Sequence, residues 1–150
     1  VFEANGLDEP LATFPGFAGP TDRDITRIVH GWPWETEVTP TEYEGFANLC
    51  ERPDLAVVTL NTLSAIVGRP TAVSIDVEGS ELEVLRGAAV VMLAEDRPLV
   101  WVSIHPDFMR DMYGSHPADV HQLMSDHDYE GVMLADAHEQ HWLFTPREKL

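Results

Sequence analysis

At 150 residues the chain has the length of one domain that can bury a core of its own, so stability requires neither a disulfide nor a structural metal. Its 26 acidic residues against nine basic ones leave a formal charge of -17. Such a coat repels phosphate backbones and anionic lipid, which argues against nucleic-acid and membrane partners. A single cysteine, Cys50, excludes an internal disulfide and a multi-cysteine zinc site, and no apolar run is long enough to span a bilayer, so a cytoplasmic protein is expected.

The first 20 residues place Pro10, Pro15, Pro20, Gly6, Gly16 and Gly19 among apolar residues, the composition of an extended, turn-rich segment. Residues 21–31 predict a short helix: Thr21 precedes Asp24 at N-cap spacing, Ile25, Ile28 and Val29 share a face, and Gly31 can end it. Trp32-Pro33-Trp34 reads as a loop. Its two aromatics either fill a gap in the core or offer a stacking surface to a sugar or flat substrate, which makes Trp32 and Trp34 candidate substrate contacts. Residues 41–51 predict a second helix, with capping-box spacing from Thr41 to Glu44, an apolar side formed by Tyr43, Phe46, Ala47 and Cys50, and Pro53 beyond its end. An irregular and helical stretch, 1–54, thus precedes an α/β core, 55–145, within a single domain.

In that core, residues 56–60 predict a strand, Asn61 a cap, and Leu63, Ile66 and Val67 the apolar face of a short helix closed by Gly68 and Pro70. Residues 71–75 are a β-branched run that reads as a strand covered on both faces. Asp76 and Glu78 follow at its C-terminal end, and Gly79 permits a tight turn or a close backbone approach. Ser80 and Glu83 have capping-box spacing for a helix running to about Glu95, with Leu82, Leu85, Ala89, Met92 and Leu93 toward the sheet. Residues 99–104 form a second buried run, and strand, helix, strand at this spacing predicts a right-handed parallel βαβ unit. His105 then falls on the same sheet edge as Asp76 and Glu78, where open α/β sheets bind ligands.

His116 and Pro117 open a further helix with Val120, Leu123, Met124 and His127 on one face, and residues 129–134 and 140–145 predict an antiparallel hairpin at the sheet edge. Asp136, His138, Glu139 and His141 crowd its turn. Residues three apart on a regular strand point to opposite faces, so His138 and His141 cannot both ligate one ion from a regular strand, an objection that weakens if they lie in the turn; no metal is assigned, and both histidines are candidate substrate contacts near the cleft.

The succession VVTLNTL, SIDVEGSELEVLRGA and RPLVWVSIHP, followed by a helix leading to Tyr129, resembles the C-terminal part of the FkbM-family methyltransferases. The centre of the match is Ile75, Asp76, Val77, Glu78, Gly79, Glu81, Leu85 and Gly87, within coverage of 57–144. The resemblance implies a Rossmann-like methyltransferase sheet, mostly parallel, with a C-terminal antiparallel hairpin and here without its first strands. It also implies S-adenosylmethionine as cofactor and methyl transfer to a hydroxyl of a sugar or small natural product.

Ser74, Asn61 and Ser103 stand where family members often carry Lys, Asp and Glu. The family's glycine-rich loop and acidic ribose-binding residue have no counterpart, so no cofactor-binding residue is carried over. The expectation is a fragment whose donor-binding half lies upstream of Val1, or a member of a homo-oligomer. For transfer to a hydroxyl, His105 titrates nearest neutrality and is the expected base, with Asp76 and Glu78 orienting the acceptor or the charged end of the cofactor. A metal-assisted hydrolase using Asp76, His105 and the late histidines, and a noncatalytic remnant that needs a partner, are the alternative readings.

Overall fold

The computed structural model describes residues 12–14, 16–25, 29–30 and 55–147. Trp32, Trp34, Cys50 and the helix expected over 41–51 lie outside the described residues. Near the start, β1 (Ala12–Thr13), β2 (Phe17–Ala18), β3 (Val29–His30) and β4 (Val57–Val58) make two small sheets, β1 antiparallel to β3 and β2 parallel to β4. Arg23 adds a bridge to Val57, exchanging backbone hydrogen bonds of 2.7 and 2.8 Å. Where a helix was expected over 21–31, Arg23 is therefore bridged to a strand, Asp24 turns the chain at φ 50°, Ile25 is in a 3-10 turn and Val29–His30 is a strand. A short amphipathic helix is marginal by itself, and pairing with the buried β4 satisfies the same backbone groups while joining the segment to the core.

Helix α1 (Leu60–Val67) starts at Thr59, whose hydroxyl accepts from the Thr62 N–H. Asp22 reinforces this start across the chain: its carboxylate accepts from the Thr59 N–H at 2.7 Å and from the Thr62 hydroxyl at 2.6 Å. Asn61, expected as the cap, lies inside the helix and serves another one, accepting from the N–H groups of Val90 and Val91.

Strand β5 (Ala72–Ile75) is followed by α2 (Glu81–Arg86) and α3 (Ala89–Leu93), which cross over to β6 (Leu99–Ile104), parallel to β5 with Ile75 opposite Val102. The single helix expected from Ser80 to Glu95 is broken at Gly87. A Cβ on Gly87 would lie 2.1 Å from the Gly19 carbonyl oxygen, and the Gly87 carbonyl accepts from the Asn61 N–H, so two distant segments hold the chain in a turn there. The expected capping box also fails to form: the Ser80 hydroxyl donates to the Val77 carbonyl, while Glu81 reaches back to the Gly79 N–H and Glu83 pairs with Arg86.

Beyond β6 the chain makes a helical turn, α4 (Pro106–Phe108), that widens into a π-helix (Met109–Tyr113) before α5 (Pro117–Asp126). It ends in the predicted hairpin of β7 (Tyr129–Asp136) and β8 (Gln140–Pro146), antiparallel, with β8 against β6. The order β5-β6-β8-β7 defines the four-stranded sheet. Among the described residues β5 is an edge of it; Ala72 and Ser74 are exposed and Ile75 is the one buried residue of that strand, against the expectation of cover on both faces. The core instead centres on β6: Val100, Val102 and Ile104 pack with Leu85, Met92, Met109, Val120, Met124, Tyr129 and Phe144.

Candidate functional site

The parallel register brings the C-terminal ends of β5 and β6 side by side, as the βαβ reading required. After β5 the chain enters a strained turn: Glu78 adopts φ 51° and Gly79 φ 103°. Glycine is needed at 79 twice over, for its φ and because a Cβ would sit 2.6 Å from the Phe108 Cβ. The turn presents the side chains of Asp76 and Glu78 half-exposed, and each has a carboxylate oxygen 3.6 Å from Nε2 of the buried His105.

Two further carboxylates complete the surroundings of that imidazole. Glu81, fully buried, has Oε1 2.7 Å from His105 Nδ1. Glu139 arrives from the hairpin. In the β6–β8 register Ile104 faces Gln140, so the next residue outward on each strand is His105 on one side and Glu139 on the other, and Glu139 Oε2 lies 2.7 Å from His105 Nε2. The sequence shows Glu81 within the family pattern and Glu139 among the acids and histidines of the hairpin turn, and pairs neither with His105. The partner of Glu139 depends on a strand register that the hairpin alone does not reveal, and placing β8 against β6 is the signal that finds it.

A ring with a carboxylate oxygen at 2.7 Å from each nitrogen is satisfied when both nitrogens carry protons, or when one carries a proton and the other meets a cation. Burial pulls the His105 pKa down, but the hydrogen bond and charge of Glu81 and the charges of Glu78 and Glu139 outweigh it, and the pKa lies above its ordinary 6.5. Glu139 lies below the usual carboxylate value because the Ser103 hydroxyl beside it, with His105, His141 and His138, favours the charged form over the opposing effect of desolvation. Ser103 itself is fully buried.

The structure separates the two late histidines. His141 lies 3.1 Å from Glu139 and stacks on Trp101 with ring centroids 5.3 Å apart, so it borders the site, whereas the His138 side chain is 87% exposed. At the opposite end of the sheet a hollow of about 470 Å³ is lined by residues including Arg97, His127, Asp128 and Arg147. The Arg97 guanidinium donates to the carbonyls of His127, Asp128 and Arg147 and covers the Tyr129 ring, which ties strand ends together there.

The fold is mixed α/β, and these titratable groups gather at the carboxyl ends of two parallel strands, the edge at which open α/β sheets commonly bind ligands. A family model, the methyltransferase FkbM domain, matches residues 23–130, more than half of the chain. The chain belongs to the FkbM methyltransferase family. No curated protein and no solved structure matches it. No helix among the described residues is long and apolar enough to cross a membrane.

Proposed function

We propose that this chain takes part in S-adenosylmethionine-dependent methyl transfer to a hydroxyl of a sugar or other small polyhydroxyl compound, with the acceptor seated at Asp76, Glu78 and His105. The observation that carries this reading is the convergence of those three residues around His105 Nε2 in a chain of this family. The described residues fit the acceptor end of such a reaction: a buried imidazole for a proton and carboxylates for hydroxyl groups. They contain no glycine-rich strand-to-helix loop, so no residue is assigned to the cofactor. S-adenosylmethionine, when bound, supplies an electrophilic methyl group.

The remaining work falls to the chain's own side chains. Glu81 accepts from His105 Nδ1–H, which fixes the tautomer and leaves Nε2 as the position that receives the hydroxyl proton. Asp76 and Glu78, half-exposed beside it, accept from neighbouring hydroxyls and hold the reacting one in line. The stacked pair of Trp101 and His141 offers a flat wall next to Glu139 for an acceptor ring. Trp32 and Trp34 remain candidate contacts for the same ring, and His138, exposed at the hairpin, an outer one.

Incubation with methyl-labelled S-adenosylmethionine and a panel of hydroxyl acceptors tests the proposal. Label is expected on acceptor oxygen. Hydrolysis of ester or phosphoester substrates, with no label transferred, would replace the methyltransferase reading by the hydrolase one.

A further inference from the structure

Asp76, His105 and Glu139 each offer one donor atom, and the three atoms lie within 4.8 Å of one another. Donors about 2.1 Å from a divalent ion are roughly 3 to 4.2 Å apart, so the 3.6 Å between His105 Nε2 and Asp76 Oδ1 already suits a shared ion. The 2.7 Å between Nε2 and Glu139 would need to open by only a few tenths of an ångström.

Independent features of the surroundings also favour a ligand. Glu81 holds the far nitrogen, the carboxylate-to-histidine arrangement that orients a metal-binding imidazole and leaves its Nε2 lone pair facing outward. The fully buried Ser103 hydroxyl stands beside the Glu139 carboxylate and favours its charged form, the form that binds a cation. Four carboxylates, those of Asp76, Glu78, Glu81 and Glu139, stand around one imidazole, so even the protonated ring leaves the centre with excess negative charge.

We infer that Asp76, His105 and Glu139 form a site for one divalent cation, with Glu78 within reach as a further oxygen ligand and Glu81 as the positioning residue behind His105. One nitrogen with two or three carboxylate oxygens suits manganese or magnesium more than a thiophilic metal. The cation and the proton are alternative occupants of Nε2: in the loaded site His105 is a ligand and no longer a base, and the charge of the ion would draw the acceptor hydroxyl. The inference concerns binding and stands apart from the methyl-transfer reading.

The test is titration of chelator-treated protein with Mn2+ alone, at physiological ionic strength to suppress diffuse counterion binding, followed by electron paramagnetic resonance and calorimetry. One ion per chain is expected, with selective broadening of the His105 ring signals in nuclear magnetic resonance. Asp76→Asn and Glu139→Gln should each weaken binding at least about tenfold. Glu95→Gln and Glu130→Gln, which remove exposed charge elsewhere, should leave it unchanged. Circular dichroism checks that each variant is folded; both ligand carboxylates reach the surface, so removing them does not hollow the core. Absence of binding at millimolar Mn2+ overturns the inference, as does equal weakening by all four substitutions, which would mark a counterion atmosphere.

Discussion

Glu81 shows what one buried charge does to its neighbour. Its carboxylate has no access to solvent and faces His105 Nδ1, so the ionised ring is favoured in the folded chain and the pKa of His105 rises above 6.5. The stability that comes with this is complete below the unfolded value of about 6.5 and is lost as pH climbs through the folded pKa. In the presence of a chelator, wild-type stability measured by urea unfolding should therefore decline from about pH 6.5 upward, and His105→Gln should flatten that decline. Glu81→Gln should lower the His105 pKa, read from ring resonances, and cost about 1–3 kcal/mol of stability by leaving buried polar groups poorly paired. Asp76, Glu78 and His105 were legible in the sequence because each sits within a few residues of a strand end. The contacts of Glu81 and Glu139 with His105 were not: Glu81 is legible only as a member of the family pattern, and Glu139 meets His105 only through the pairing of β8 with β6.

At the scale of elements, local pattern succeeded where an element is fixed by its own residues. Strands β5 and β6, their parallel pairing, helix α5 and the terminal hairpin follow from apolar runs and turn residues. It failed where distant backbone decides. The break between α2 and α3 is imposed by Gly19 and Asn61, and the bridge at Arg23 by Val57. Two substitutions probe this tertiary control. Gly87→Ala forces a methyl group against the Gly19 carbonyl and should cost about 1–3 kcal/mol. Asn61→Ala removes the acceptor for the first N–H groups of α3 and should cost about 1 kcal/mol, although position 61 itself lies in α1. Urea denaturation of each variant measures both losses, and a neutral Asn61→Ala would refute the capping role. Asp22 belongs to the same scale. Desolvation raises its pKa, but the hydrogen bonds from Thr62 and Thr59 prevail and lower it below 3.8, so its support of α1 is present above that pH and fades as pH falls through the folded value.

For the molecule as a whole, the charge of -17 outweighs any single ion pair on the surface. Like charges at this density repel one another in the compact state, and screening relieves the repulsion. Thermal unfolding followed against sodium chloride should show the midpoint rising with salt; a midpoint that stays level or falls would mean that specific ion pairs matter more than self-repulsion. At one end of the sheet the strained turn at Glu78 and Gly79, the end of β6 and the hairpin turn converge on His105 and bring four carboxylates around it. The rate of labelled methyl transfer by the wild type beside His105→Gln and Asp76→Asn measures whether the reaction depends on that convergence. The account predicts folded variants with kcat/KM reduced about a hundredfold or more. Full activity in both variants would contradict it and move the reaction away from this edge of the sheet.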